Sequence, residues 1–362
     1  MVTKIASASQ RKRGNYKLIG NAFGRRVFVP IILTAASCLY LGSCSSGATG
    51  RDEQMLSTIQ IGSSRIDVSV EGGDLAVSHD DLLAWVRNAA ESVATYYQRY
   101  PVPDVALHII STDGQGVHGG RTFGAEDGGV IRIHLGKSTT AAQLQKDWML
   151  THEMVHLTFP SVPENHHWIE EGIATYVEPF ARVRAKKLDA HQVWFEVTRD
   201  MHQGLPQPGD QGLDHTHTWG RTYWGGALFC LLADVEIRKQ TNNQKGLDDA
   251  LRGILLAGGD MRHDWPLESA LAAGDKATGT TVLQTLYAKM KNDPYSVDLP
   301  SLWQQLGIVQ DGQTVQFVDT APLAAIRDAI TFGAPATSPK AAIDPHSHTF
   351  LVGRRVSLVP GS

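Results

Sequence analysis

The stretch Thr151-His152-Glu153-Met154-Val155-His156-Leu157 decides the fold of this chain. In a helix, His152 and His156 lie four residues apart on one face, so both imidazoles can reach one metal ion. Glu153 directly follows the first histidine, where it can act as a base toward water at the metal. The apolar residues between them predict a buried helix, in which two imidazoles and a carboxylate need partners. The stretch therefore predicts a metal site with one zinc ion per chain.

A catalytic zinc ion needs a third protein ligand and leaves its fourth position to water. The side chains that follow offer Glu164, the pair His166 and His167, and the pair Glu170 and Glu171. Two adjacent histidines in a loop before a helix are more often exposed than bound to a catalytic metal. A carboxylate from the helix that begins near residue 168 is better placed, and its two adjacent glutamates point to different helix faces.

The segment Trp168-Ile169-Glu170-Glu171-Gly172-Ile173-Ala174 resembles the motif Trp-Leu-Asn-Glu-Gly-Phe-Ala of gluzincin metallopeptidases of the aminopeptidase N and glycyl-aminopeptidase kind. The resemblance implies that Glu171, directly before the glycine, is the third zinc ligand, and it puts Glu170 at the Asn position. The distance in sequence from His156 is shorter than in aminopeptidase N relatives, so we expect a shorter loop between the helices. Glu178 lies on the same helix face as Glu171, and either hydrogen-bonds a ligand or is solvated.

The resemblance continues in the segment Arg221–Arg238. The same gluzincins carry Tyr-x-x-Gly-(Ala/Ser) before an apolar helix, which implies that Tyr223 stabilises the oxyanion of the reaction. Gly225 stands where these families usually have a lysine. The residues alone leave two alternatives: Tyr223 is held only by packing, or His215 or His217 takes this role, as a histidine does in thermolysin-like enzymes.

A weaker match lies upstream, in Gly124-Ala125-Glu126-Asp127. Aminopeptidases of this group carry Gly-x-Met-Glu-Asn, whose Glu binds the free amine of the substrate, and the resemblance implies this role for Glu126 although one residue is absent. We expect the strand at Val130–Leu135 to be a sheet edge that pairs with an extended peptide. Cleavage at a chain end and cleavage within a chain both stay open.

Strands precede helices along the chain. Alternating apolar residues predict strands at 59–70, 105–110 and 130–135, with a helix at 80–99. Thr140 opens a capping box and predicts one helix that continues to Phe159. Later helices are predicted at 168–186, 188–203, 221–240, 245–256, 279–292 and 321–331. This order predicts an α+β fold, and the resemblance implies a thermolysin-like metallopeptidase catalytic domain.

The N-terminus is similar to the export signal of a bacterial lipoprotein. Basic residues precede the apolar run Val27–Leu41, which is short for a membrane span but typical of a signal peptide. Leu41-Gly42-Ser43-Cys44 resembles a lipobox, which implies lipidation of Cys44; an ordinary cleavable signal or an uncleaved anchor is the alternative. Arg25-Arg26 leaves twin-arginine and Sec export open. Because Ser45 and not Asp follows Cys44, we expect a lipid anchor in the cell envelope, at the periplasm or outer membrane.

These patterns divide the chain into five parts. We expect an export signal at 1–43, a tether at 44–57, a strand-rich half with the active-site helix at 58–160, a helical half of the same catalytic domain at 161–331, and a loosely attached tail at 332–362.

The charge distribution excludes one class of partner. Seven of the 33 basic residues lie before residue 44, and none of the 37 acidic residues does, so the rest of the chain has a net charge of −11. A body this acidic is unsuited to binding a phosphate backbone, and we expect no nucleic-acid partner. Three cysteines are present, and Cys230 lies in an apolar stretch typical of a buried core residue.

Together the motifs predict a zinc metallopeptidase that acts on a peptide or protein substrate. In this interpretation zinc polarises the scissile carbonyl and activates water, Glu153 carries the proton to the leaving amine, and Tyr223 stabilises the oxyanion. The alternative is a noncatalytic zinc-containing envelope lipoprotein that acts as a binding module. The intact His-Glu-x-x-His motif favours the enzyme.

Overall fold

A five-stranded mixed sheet forms the first half of the described chain. The structure is a computed structural model that describes residues 53–333, and the predictions for the export signal, Cys44 and the tail after residue 333 lie outside these residues. The strands are β1 Glu53–Ile61, β2 Ser64–Glu71, β3 Asp104–Thr112, β4 Val117–Ala125 and β5 Gly128–Gly136. Their order is β1-β2-β3-β5-β4. The three central strands are parallel, and β1 and β4 pair antiparallel at the edges.

Helices cover one face of the sheet and build the second half. They are α1 His79–Tyr97, α2 Ala141–Gln145, α3 Met149–His156, α4 His167–Arg184, α5 Ala190–Asp200, α6 Gly226–Gln240, α7 Leu247–Leu256, α8 Leu267–Thr278, α9 Val282–Met290, α10 Leu299–Leu306 and α11 Ala324–Phe332. Shorter turns lie at Glu164–His166, Met201–Gly204 and Gly220–Gly225, and a hairpin joins β6 Ile308–Asp311 to β7 Thr314–Phe317. This architecture confirms the predicted α+β class.

The sheet differs from its prediction in three places. Residues 59–70 form a hairpin and not one strand, and β1 already begins within the expected tether. The glycine-rich stretch 114–129 contains β4, because pairing with β5 outweighs the low strand propensity of glycine. The edge strand on this side of the sheet is therefore β4. The strand at 130–135 that we expected there belongs to β5, which lies inside the sheet.

The helix predicted at 140–159 is broken into α2 and α3. Its capping box at Thr140 is present, but Asp147 interrupts the helix and starts a new one. The Asp147 carboxylate accepts hydrogen bonds from the backbone N–H groups of Met149 and Leu150, and from the indole of Trp85 on α1. The two backbone bonds are local, whereas the bond from Trp85 joins segments that are distant in sequence. The helices α8 and α10 and the hairpin β6-β7 also lie outside the predicted elements.

Within residues 53–333, no helix is both long enough and apolar enough to cross a bilayer. The single cysteine of this part of the chain, Cys230, is buried in α6 with a free thiol, as predicted.

Two glycines let α4 and α6 touch at their main chains. A Cβ atom on Gly226 would lie 2.1 Å from the carbonyl oxygen of Trp168 and 2.6 Å from the Cα atom of Gly172. Side chains at these positions would separate the helices. Because Glu171 precedes Gly172, this crossing positions it against the turn Gly220–Gly225.

We expect Gly226→Ala to lower the free energy of unfolding by about 1–3 kcal/mol, since the added methyl group overpacks the helix crossing. Urea unfolding of the metal-free protein measures the change. Gly119→Ala is the control, because no atom lies within 4 Å of its added methyl group. An unchanged unfolding midpoint for Gly226→Ala would show that the two helices can move apart at little cost.

Candidate metal centre

Two neighbouring helices bring the predicted triad together. His152 and His156 come from α3 and Glu171 comes from α4, and one ligand atom from each lies within 4.8 Å of the others. Oε2 of Glu171 is 3.1 Å from Nε2 of His152 and 3.7 Å from Nε2 of His156. Within residues 53–333 this is the one cluster of three histidine, cysteine or acidic side chains arranged to hold a metal ion. Of the candidate third ligands, Glu171 thus joins the cluster.

Burial and hydrogen bonding prepare the triad for a cation. Burial lowers the pKa of His156 to about 4, so its imidazole is neutral as a ligand must be. Burial opposes ionisation of Glu171, but hydrogen bonds from His152 and His167 outweigh it and hold its pKa below the usual range. Burial also disfavours a charged His152, yet Glu171 raises its pKa. A metal ion would replace this proton.

Glu153 lies between the triad and the edge strand β4. The hydroxyl of Thr122 is 2.7 Å from Oε2 of Glu153 and 2.9 Å from its backbone oxygen. A Cβ atom on Gly120 would lie 2.5 Å from Oε1 of Glu153, so only glycine admits the carboxylate here. Burial raises the pKa of Glu153. Thr122 and Gly120 were not foreseen, because neither carries a motif of its own.

Tyr223 lies on the turn Gly220–Gly225, a π-turn that precedes α6. Its ring is stacked near His152, with ring centroids 6.4 Å apart, and it also stacks with Trp219 at 5.8 Å. Burial raises the pKa of Tyr223, and the adjacent Glu171, to which its hydroxyl hydrogen-bonds, raises it further. The hydroxyl therefore keeps its proton at neutral pH and can donate a hydrogen bond at the site.

The two histidines considered for the same role lie elsewhere. His215 is exposed, and its Nε2 is 3.0 Å from Oδ1 of Asn292. His217 is also exposed, and neither ring forms a hydrogen bond or ion pair with the triad. The geometry thus brings Tyr223 to the site and leaves His215 and His217 outside it.

Glu126 is not brought to the triad. It is exposed in the turn between β4 and β5. Six residues separate it from Gly120, which contacts Glu153, and this length of strand spans about 20 Å. Its proposed contact with a substrate amine stays a prediction.

Other candidate residues have partners of their own. Glu178 is buried and pairs with Arg182 at 2.8 Å, so it is neither solvated nor hydrogen-bonded to a triad residue. The ring of His166 lies 3.0 Å from Asp214, which also accepts a hydrogen bond from the indole of Trp168. These contacts fix the start of α4.

His167 and Glu170 complete the surroundings of Glu171. Nδ1 of His167 is 2.9 Å from Oε2 of Glu170, and Nε2 is 3.3 Å from Oε1 of Glu171. Hydrogen bonds to Glu170 and Glu171 raise the pKa of His167 to about 10. The sequence offered both residues as rival ligands, and it gave no sign that His167 contacts both Glu170 and Glu171.

A cavity of about 710 Å³ opens beside the triad, with His152 and Tyr223 in its wall. Trp148 and Trp219 flank its mouth with half of their surface exposed. Its charged lining is balanced between three basic and three acidic side chains: Lys146, Arg182, Lys187, Glu178, Glu196 and Asp200. Its apolar lining comes from Leu188, Val193, Val197, Met201, Trp224 and Ala227. A cavity without net charge and with these walls suits an apolar side chain.

No protein-family model matches the chain, and no curated protein matches it. Solved structures do match the chain. An aminopeptidase N family protein from Idiomarina loihiensis is similar with a TM-score of 0.52 and 14% identity, over 71% of this chain and 49% of that one. An M1 zinc metallopeptidase from Deinococcus radiodurans is similar with a TM-score of 0.44 and 15% identity, over 69% of this chain and 53% of that one.

The chain spans about half the length of these solved structures. The likeness to the Idiomarina protein confirms the fold of a metallopeptidase catalytic domain that the sequence predicts. This chain resembles the aminopeptidase N family in structure, and it carries a His-His-Glu triad that can hold a metal ion.

Proposed function

We propose that this protein is a zinc-dependent peptidase. The observation that carries the proposal is the buried triad of His152, His156 and Glu171, with a further carboxylate, Glu153, beside it. Two imidazole nitrogens and one carboxylate oxygen are a typical donor set of catalytic zinc, and three protein ligands leave a coordination position open. The donors present therefore fit this ion.

Zinc bound there would supply a Lewis acid and lower the pKa of water. Proton transfer and stabilisation of the oxyanion fall to residues of the chain. The hydroxyl of Thr122 donates a hydrogen bond to Oε2 of Glu153. The other oxygen, Oε1, takes a proton from the attacking water and returns it to the leaving amine. The hydroxyl of Tyr223 donates a hydrogen bond to the oxygen of the scissile carbonyl as negative charge develops on it.

The substrate is a peptide or protein in extended conformation. The edge strand β4 offers unpaired backbone groups to it, and its residues Gly120 and Thr122 lie directly beside Glu153. A peptide that adds to this edge brings one peptide bond to the triad. The cavity next to His152 and Tyr223 accepts an adjoining side chain, and its apolar walls favour a large apolar one.

We also propose that the protein is exported and anchored in the cell envelope by lipid on Cys44. The basic and apolar segments of the N-terminus and the lipobox-like Leu41-Gly42-Ser43-Cys44 support this proposal.

We expect one zinc ion per chain in protein purified without added metal, as measured by elemental analysis. His156→Ala removes one of three ligands and should lose the ion. His215→Ala is the matched control, because His215 is bonded to Asn292 away from the triad, and it should retain full zinc. Full zinc in Glu171→Ala would move the third ligand to another residue.

Tyr223→Phe should lower kcat about 10²- to 10³-fold, because it removes one donor to the oxyanion. Zinc content and KM should change little, since the ring and the three ligands remain, whereas the melting temperature should fall slightly because Glu171 loses the hydrogen bond from the hydroxyl. Glu153→Gln should also retain zinc but lose more activity, because it removes the base. Steady-state cleavage of a mixed peptide library measures both. If Tyr223→Phe reacts at the wild-type rate and His217→Ala does not, a histidine stabilises the oxyanion. If zinc-loaded wild-type protein cleaves no peptide, the interpretation as a metal-binding module stands.

Membrane fractionation tests the anchor. The wild-type protein should sediment with membranes and incorporate labelled fatty acid, whereas Cys44→Ala should incorporate none. The control is Cys230→Ala, which changes a cysteine buried in α6. An unprocessed wild-type N-terminus in mass spectrometry would contradict lipidation.

A further inference from the structure

A chain of hydrogen bonds runs from the main chain to Glu171. The backbone N–H of Val162 donates to Oε1 of Glu170 at 3.0 Å, and Oε2 of Glu170 accepts from Nδ1 of His167 at 2.9 Å. Nε2 of His167 lies 3.3 Å from Oε1 of Glu171. The other oxygen of Glu171, Oε2, faces His152. The two oxygens of the ligand carboxylate are thus divided between His167 and the triad.

We propose that His167, held by Glu170, is a positioning residue that orients Glu171 as a metal ligand. The proposal rests on the zinc site of the proposed function. A free glutamate side chain has several rotamers, and ordering it costs conformational entropy at the moment of metal binding. His167 fixes the carboxylate before the metal arrives and directs Oε2 toward the imidazoles. Outer partners of this kind typically change metal affinity 10- to 100-fold when they are removed.

The geometry of α4 makes the arrangement possible. Relative to His167, Glu170 and Glu171 lie three and four residues further along the helix, which places all three as neighbours on its first turn. The ring of His167 lies between two carboxylates that would otherwise repel each other. The hydrogen bond from Val162 anchors the series to the loop before α4, so the position of Glu171 is tied to the main chain outside its own helix.

Glu170 stands at the position where the resembled motif has Asn, so this chain departs from the motif here. Its carboxylate uses one oxygen for Val162 and the other for His167. The role we assign is therefore specific to the residues of this chain.

Exposure makes the proposal testable without damage to the core. The side chain of His167 is 43% exposed, whereas that of Glu171 is 11% exposed. Truncation of His167 removes a contact to the ligand but opens no cavity among buried apolar residues. Zinc affinity can therefore be measured on a folded variant.

The experiment is a competition for zinc between the purified full chain and a chromophoric chelator, with thermal unfolding of the metal-free protein alongside. His167→Ala should weaken zinc binding about 10- to 100-fold, and it should also lower the melting temperature of the metal-free protein, because the buried Glu171 loses a hydrogen bond. His167→Gln retains an N–H donor and should recover part of the loss. His215→Ala, an exposed histidine elsewhere, should bind zinc as the wild type does.

A double variant separates positioning from a general effect on α4. Because Glu170 acts through His167, adding Glu170→Gln to His167→Ala should weaken zinc binding no further. Wild-type affinity in His167→Ala would overturn the proposal, and so would additive losses of affinity in the double variant. A wild-type protein that binds zinc tightly and cleaves no peptide would refute the peptidase function and leave this inference intact.

Discussion

The burial of the Glu171 carboxylate between two helices is the constraint on which this structure depends. An ionised carboxylate loses several kcal/mol of solvation when it is buried, and hydrogen bonds or a cation must compensate. Its neighbours supply that compensation: His152 and His156 from α3, His167 from its own helix turn, and Tyr223 from the π-turn. The close crossing of α4 and α6 keeps the carboxylate among these partners.

The edge strand accepts a cost in stability for the same site. Glycine weakens a strand, because it packs no side chain and loses more backbone entropy on folding. At Gly120 the absence of a side chain makes room for Glu153, which any side chain would displace. Thr122, two residues further and on the same side of the strand, then holds the carboxylate by its hydroxyl. The glycine-rich strand β4, with its low intrinsic strand propensity, is thus the one that lies beside Glu153.

The two histidines of the triad could be predicted from sequence because helical periodicity alone relates them. His152 and His156 share a face of any helix, and the motif resemblance was enough to select Glu171. What escaped prediction depends on contacts between distant segments. The contact of Gly120 with Glu153 joins a strand to a helix, and the indole of Trp85 on α1 donates a hydrogen bond to Asp147 between α2 and α3. No local pattern encodes such contacts.

The arrangement around Glu153 bears on the choice between an enzyme and a module that only binds metal. A metal site needs its three ligands, and Glu153 is not one of them. Its carboxylate is nevertheless buried, and burial raises its pKa. The buried Glu178 is compensated by its ion pair with Arg182, whereas the partner of Glu153 is the neutral hydroxyl of Thr122, so the desolvation of Glu153 destabilises the fold. A proton carrier needs such a group, held by Thr122 on one oxygen and free on the other.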